Sequence, residues 1–320
     1  MKEITRLLAY CVETIWGGVR LKEEYHKQSD LPKIAESWEL SAYPGKECVI
    51  RDGTYAGYTF LEYLEAAGRE VLGSKASGDW FPILIKIIDA ARELSLQVHP
   101  DDAYGFRVEG EPGKTEIWYV LDAEEGAEVI FGFAKDVTKE AFARGIEDHS
   151  VLSMVNHVKV KRGDVIFVPA GTVHGIGAGI TMAEIQENSN ITYRIYDYGR
   201  VGADGKPRQL HVEQAKEVIR LTKQDVSVKP SGETISCGTY QKTELASCDY
   251  FTVTEYRYDG AVRLSTDETS FAALTFSEGA GEVVCQHQTL PVQKGDTLFV
   301  PAGINEYEVK GSGAFLLTTL

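Results

Sequence analysis

A glutamine and a histidine two residues apart, in Leu94-Ser95-Leu96-Gln97-Val98-His99-Pro100, carry the densest chemistry in the chain. Strand alternation puts Leu94, Leu96 and Val98 on one face and Ser95, Gln97 and His99 on the other. A face offering a hydroxyl, an amide and an imidazole just before Pro100 reads as the inner wall of a barrel around a polar cavity. Glu116, in Gly113-Lys114-Thr115-Glu116-Ile117-Trp118-Tyr119-Val120, and His174, closing Val168-Pro169-Ala170-Gly171-Thr172-Val173-His174, arrive in similar strand or corner settings. Two imidazoles, one carboxylate and one amide oxygen suit a borderline metal such as Zn²⁺. The bland alternative is a pair of core histidines bonded to backbone, with Glu116 facing solvent. Four correctly typed groups in matching contexts favour the metal. The bulk of Ile117, Trp118, Tyr119 and Val120 also makes a lone half-buried carboxylate at Glu116 costly.

The other histidines show no such clustering. His26 and His287 stand alone, and His149 and His157 flank a strand-like segment, Val151 to Val155, and are expected at the surface. His211, in Arg208-Gln209-Leu210-His211, is expected to pack or cap, and Trp118 and Tyr119 to lie in the core. Arg194, between Tyr193 and Ile195, needs an anionic partner: a ligand oxygen or a structural carboxylate.

The elements that must position these groups are mostly strands. Short β-branched and aromatic runs punctuated by glycine and proline fill the chain, as in antiparallel sandwiches and barrels. Helical spacing is confined to Phe60–Leu72, Thr138–Ile146 and Val212–Leu221, and Lys229-Pro230-Ser231-Gly232 is the best linker. At 320 residues the chain fits about two domains, set at 1–230 and 231–320. The net charge of −15, from 33 basic and 48 acidic residues, argues against a nucleic-acid surface. It leaves room for an anionic small molecule held by a few inward-facing lysines and arginines. Met1 to Leu8 lacks a signal-peptide core and no apolar run reaches spanning length, so no membrane partner and a cytoplasmic location are expected. Five scattered cysteines with no CxxC pair read as free thiols.

An internal repeat sets the architecture. Gly163-Asp164-Val165-Ile166-Phe167-Val168-Pro169-Ala170-Gly171-Thr172-Val173-His174 aligns without gaps to Gly295-Asp296-Thr297-Leu298-Phe299-Val300-Pro301-Ala302-Gly303-Ile304-Asn305-Glu306. Each copy is a turn, an apolar strand and a Pro-Gly corner that swings the next side chain inward. The segment resembles the second motif of the cupin barrel, whose final histidine is a metal ligand. The second copy has Glu306 there and no counterpart of Gln97-Val98-His99. The expectation is mainly β: two cupin-type, jelly-roll β-barrels with a few helices and a metal site in the first barrel only.

With these motifs in hand, the chain resembles the short bacterial form of type I mannose-6-phosphate isomerase over most of residues 10–215. The likeness is carried by Trp16-Gly17-Gly18, Glu36-Ser37-Trp38-Glu39-Leu40-Ser41, Phe81-Pro82-Ile83-Leu84-Ile85-Lys86, Leu94 to Asp102, Gly113 to Tyr119, Pro169 to His174 and Glu184 to Arg194. The resemblance implies a Zn²⁺-dependent interconversion of mannose 6-phosphate and fructose 6-phosphate. It places one zinc on Gln97, His99, Glu116 and His174, the active-site arginine on Arg194, substrate-lining groups on Lys86, Ser95 and Lys114, and an active-site glutamate on Glu184. A base must move a proton between C2 and C1 through an enediol. Glu184 is the first choice for it, with a pKa raised by burial and opposed by the metal. Lys86 and Lys114 are expected to serve the anionic end of the substrate.

One residue departs from the family pattern: Asn190 stands where an aspartate usually precedes the arginine, keeping an acceptor oxygen and losing the charge. Two other readings follow from the same residues. A cupin dioxygenase would commonly want a His-richer ligand set, which Gln97 and the missing His-x-His pair disfavour. A sugar-phosphate-binding or regulatory protein without turnover would be consistent with Asn190 and a metal-free second barrel.

Overall fold

The computed structural model describes residues 2–76, 78–202, 205–286 and 288–320. His287 falls outside them. The chain is mainly β with a few short helices, built on antiparallel sheets of nine, six and five strands.

The six-stranded sheet runs in the order Val165–Val168, Glu116–Ala123, Ile180–Glu187, Ile83–Ala90, Glu36–Leu40, Tyr10–Val12. Its central strands are buried along their length, and their pairing aligns the chemistry. Glu184 sits opposite Lys86 on one side and Trp118 on the other, and Lys86 sits opposite Trp38. Directly opposed residues project to the same face. One face of this sheet therefore carries Trp38, Lys86, Glu184 and Trp118 in a row. The other face carries Ile85, Ile87, Ile117, Ala183 and Ile185, which pack into the largest hydrophobic cluster.

The five-stranded sheet runs Tyr193–Tyr196, Leu96–Val98, His174–Ile176, Glu128–Phe133, Val155–Lys159. Gln97 lies opposite His174 in one direction and Arg194 in the other. The expected alternation holds: Leu96 and Val98 are fully buried among Phe133, Val173 and Ile195, and Gln97 turns to the opposite side. The two sheets face each other, with the Trp118 and His174 rings edge to face at 5.4 Å.

The nine-stranded sheet gathers the strands between Thr234 and Thr319 and adds two from the start of the chain, Thr5–Leu8 and Val49–Ile50. Thr5–Leu8 pairs with Thr297–Val300, so the first residues are stitched to the last sheet. The repeat is visible in both places. Gly163 and Gly295 take φ of 88° and 92° at the leading turns, and Gly171 and Gly303 take 82° and 79° at the corners. These left-handed values explain why glycine recurs at those positions. After the corner the copies diverge: His174 is buried and Glu306 is exposed.

The helices follow their caps. Phe60–Ala67 starts on a Thr59/Glu62 capping box and stops at Gly68, φ 86°, after which Arg69–Leu72 forms a 3-10 turn instead of continuing the expected single helix. Lys139–Glu147 is capped by Thr138, and the third expected helix is Val212–Val218; Arg20–Glu23 and Asp102–Val108, the latter capped by Asp101, are helical outside the three expected segments. The strand-like segment Val151–Val155 is corrected. Ser150–Ser153 is a 3-10 turn, entered through left-handed His149 (φ 64°), and the strand begins only at Val155. Asp148 Oδ1 accepts the Ser150 N–H at 3.0 Å, an Asx turn that the apolar Val151 and Leu152 masked.

Candidate metal centre and substrate cavity

The two histidines partly obey the bland reading, and that leaves each free to act as a ligand through Nε2. His99 Nδ1 lies 2.7 Å from the Ile191 carbonyl, and His174 Nδ1 lies 2.8 Å from the Thr172 carbonyl. A carbonyl only accepts, so each Nδ1 carries the hydrogen and each Nε2 carries a lone pair. The two Nε2 atoms face each other at 3.1 Å. Burial pushes both imidazoles towards the neutral form, His174 to about 4, and the Lys114 charge adds to the effect. Neither ring can donate to the other.

Glu116 completes the convergence. Its carboxylate oxygens lie 3.5 Å from His174 Nε2 and 3.7 Å from His99 Nε2. Lys114 Nζ pairs with Glu116 Oε2 at 2.6 Å, yet neither carboxylate oxygen accepts a well-directed hydrogen bond. The Gln97 amide stands 3.3 Å from His174 Nε2, and a half-turn about its last bond presents Oε1 at the same place. Ligand atoms about 2.0–2.1 Å from a tetrahedral zinc are roughly 3.3 Å apart, the range these pairs already span. His99, Glu116 and His174 are all buried and offer their ligand atoms within 4.8 Å of one another. The donor set fits a zinc ion.

Charge arrives from the facing sheet. Lys86 Nζ lies 3.3 Å from Glu36 and 3.3 Å from Glu184, and Lys114 Nζ lies 3.6 Å from Glu184. Trp118 Nε1 donates to the other Glu184 oxygen at 3.2 Å. With all three carboxylates ionised, Glu36, Glu116 and Glu184 against two ammonium groups leave one net negative charge in a buried cluster, although burial and the Glu184 charge push the Glu116 pKa up to about 7. A divalent cation would reverse its sign to one net positive charge, which favours both metal uptake and an anionic substrate.

Residues 4–131 match the family described as phosphomannose isomerase type I, catalytic domain, and residues 241–320 the mannose-6-phosphate isomerase cupin domain. The mannose-6-phosphate isomerase ManA of Bacillus subtilis (strain 168) is 36% identical over 312 residues, 96% of each chain. The chain belongs to the mannose-6-phosphate isomerase family. The crystal structure of the mannose 6-phosphate isomerase from Bacillus subtilis superposes with a TM-score of 0.92 at 31% identity, covering 100% of both chains. A mannose 6-phosphate isomerase described as holo and zinc bound shares the fold, with a TM-score of 0.77 at 16% identity over 98% of both chains.

The sequence-selected residues Lys86, Ser95, Gln97, Lys114, Glu184 and Arg194 line one cavity of about 350 Å³. That volume is within the usual range for a small-ligand site, roughly 300–1,000 Å³. Roomier clefts, about 770 Å³ beside Tyr250 and about 520 Å³ beside Phe167, gather no comparable set of ligands. Arg194 has no structural carboxylate among the described residues: its guanidinium donates to the Gln209 carbonyl at 2.9 Å and leaves Nε buried without a partner. The nearby Asp197 is taken by Arg200 and Arg208, each at 2.5 Å. Ser95 Oγ is 3.4 Å from Gln97 Oε1. His149 and His157 are exposed, and His211 neither caps its helix nor reaches the cavity; its Nδ1 accepts the Arg194 N–H at 3.2 Å.

The Glu184 carboxyl departs from the expected direction of its pKa. Burial alone would raise the Glu184 pKa, but Lys114 and Lys86 outweigh it and hold the carboxyl well below the ordinary range. Such a carboxylate is a weak base. Sequence reasoning also passed over Glu36, Trp38 and the indole N–H of Trp118. Glu36 and Trp38 alternate in one strand, a detectable signal, but their partner Lys86 is contributed by a pairing the sequence does not display.

Proposed function

We propose that the chain is a zinc-dependent aldose–ketose isomerase that interconverts mannose 6-phosphate and fructose 6-phosphate. The observation that carries this reading is the convergence of two Nε2 atoms and the buried Glu116 carboxylate, paired with Lys114, beside Glu184 and Arg194. Gln97, His99, Glu116 and His174 would hold one zinc, which supplies Lewis-acid polarisation of the substrate oxygens when bound. Lys114 projects its ammonium group beside that position and can donate to an enediolate oxygen. Arg194 offers unused guanidinium donors to the same charge from the facing sheet, so both donors are preorganised. Lys86 and Ser95 line the same cavity and would orient hydroxyls. Glu184 helps keep Lys86 charged and aims both Lys86 and Lys114.

The same reading extends to the architecture. Residues 1–230 would form the catalytic cupin barrel and residues 231–320 a second barrel without metal, supported by the repeat and by Glu306 turning outward. All five cysteines are free thiols, which supports a cytoplasmic setting. Among the described residues no helix is long and apolar enough to cross a membrane.

The test is turnover of mannose 6-phosphate by zinc-loaded protein, read as fructose 6-phosphate, with loss on chelation and recovery on adding zinc. A fully zinc-loaded protein that forms no ketose phosphate would overturn the isomerase reading.

A further inference from the structure

The cations lining the cavity are not equally available. Lys86 is held by Glu36 and Glu184, Lys114 by Glu116 and Glu184, and Arg208 by Asp197. Arg194, which lines the same cavity without a carboxylate partner among the described residues, is tied to the Gln209 carbonyl. Lys46 lines it too and, among the described residues, its ammonium group forms no ion pair with a carboxylate. It closes a turn in which Pro44 and Gly45 occupy the central positions, with Gly45 at φ 78° and the Lys46 N–H donating to the Tyr43 carbonyl at 2.9 Å. That geometry is a type II turn, which fixes the backbone of its last residue. The side chain then lies over Trp38, with Nζ 4.6 Å from the ring centroid, while Lys86 Nζ approaches the same ring to 4.8 Å. Burial pushes the Lys46 ammonium down, and Glu36 and Lys86 act on it in opposite senses. An ammonium group half-buried on an indole face, in repulsive range of a second one, is improved by an incoming anion.

We propose that Lys46 contacts the phosphoryl group of the substrate and sets the preference for phosphorylated over free hexose. This rests on the isomerase reading and moves the anionic end of the substrate away from Lys86 and Lys114, whose charges the carboxylates already answer. It leaves those two lysines for the reacting end, next to the metal ligands.

The experiment compares wild type with Lys46→Met, which keeps the stem on Trp38 without the charge, and Lys46→Arg, which restores charge. The readouts are KM and kcat on mannose 6-phosphate, and the Kd of inorganic phosphate by calorimetry. Lys46→Met should raise both KM and the phosphate Kd about tenfold or more, with kcat lowered far less, and Lys46→Arg should recover most of that loss. Zinc content and unfolding midpoint, measured on each variant, report whether the fold survives; Lys46→Gln serves if the Met variant does not fold. KM and phosphate Kd unchanged in a folded, zinc-replete Lys46→Met protein would overturn the proposal and reduce Lys46 to a stacking residue. A wild type that makes no ketose phosphate but binds phosphate through Lys46 would fail the isomerase reading and leave the assignment of Lys46 standing.

Discussion

Glu187, three residues beyond Glu184, is a carboxyl that the fold holds protonated near neutral pH, and replacing it with glutamine should stabilise the protein in alkali. It is 3% exposed, accepts the Thr115 N–H at 2.7 Å, and lies within hydrogen-bonding reach of Asp102. Asp102 in turn accepts the Gly113 N–H at 2.8 Å and the Tyr250 hydroxyl at 3.1 Å. Burial, then the hydrogen bond and charge of Asp102, push the Glu187 pKa from 4.5 up to about 8. The folded state therefore binds a proton that the unfolded chain releases, so stability is full below about 4.5 and falls as pH rises through about 8. At about 1.4 kcal/mol per tenfold change in proton affinity, the ceiling on that loss is about 5 kcal/mol. Relaxation and water entry reduce such figures, and we expect about 2–3 kcal/mol.

The glutamine amide can donate to Asp102 as the protonated acid does, and its oxygen can still accept from Thr115. Urea unfolding of wild type and Glu187→Gln at pH 5 and pH 8.5, both saturated with zinc, isolates the effect because the pH dependence of the metal is common to both. The two proteins should coincide at pH 5, and the variant should be the more stable at pH 8.5 with an unchanged m-value. A difference of the same size at both pH values, or a variant weaker at pH 8.5, would refute the shared proton. The consequence reaches the site. Asp102 and Glu187 grip Gly113 and Thr115, the backbone on either side of Lys114, so ionisation loosens the segment that aims that lysine.

Three further outcomes test the centre itself. His99→Ala and His174→Ala should each lose zinc and activity together, by elemental analysis and turnover, since each leaves the tetrahedral set one ligand short; a full zinc complement in His174→Ala would remove it from that set. Lys114→Met should keep its zinc, because it strips positive charge from a cluster already net negative, while kcat falls about 10²–10³-fold as a preorganised donor is lost. Zinc lost along with the lysine would show that Lys114 builds the metal site instead of serving the reaction. Arg194→Lys should cost far more kcat/KM than Asn190→Asp changes in either direction, because lysine lacks the planar fork that contacts two oxygens. A silent wild type rescued by Asn190→Asp would instead make the missing carboxylate essential.

The groups that converge on the candidate metal centre were legible because coordination chemistry restricts residue types and because each has a local signature: an alternating strand for Gln97 and His99, a Pro-Gly corner for His174, a bulky strand for Glu116. The charges around them were less legible. Lys86, Glu184 and Trp118 form a row across three strands whose register depends on pairing between residues 66 and 98 positions apart, and only the pairing shows that Glu184 is a carboxylate between lysines. From sequence, burial was the visible influence on Glu184, and it has the opposite sign to the one that wins. Lys46 was hidden differently, since a lysine after Pro-Gly reads as a solvated turn until Trp38 is seen beneath it.

The division between the two sheets then has a physical consequence. Every carboxylate and lysine of the centre belongs to, or leads into, the six-stranded sheet, whereas Gln97, His99 and His174 belong to, or follow, strands of the five-stranded one. A charged wall faces one that carries neutral ligands beside Arg194, and Lys114 already spans them, from Glu116 at 2.6 Å to His99 Nε2 at 3.2 Å. A cation bound there would tie both sheets at once, so its affinity depends on how rigidly each wall holds its ligands. The backbone carbonyls of Ile191 and Thr172 fix the imidazoles. Metal affinity is therefore set by those supporting contacts as well as by the ligands themselves.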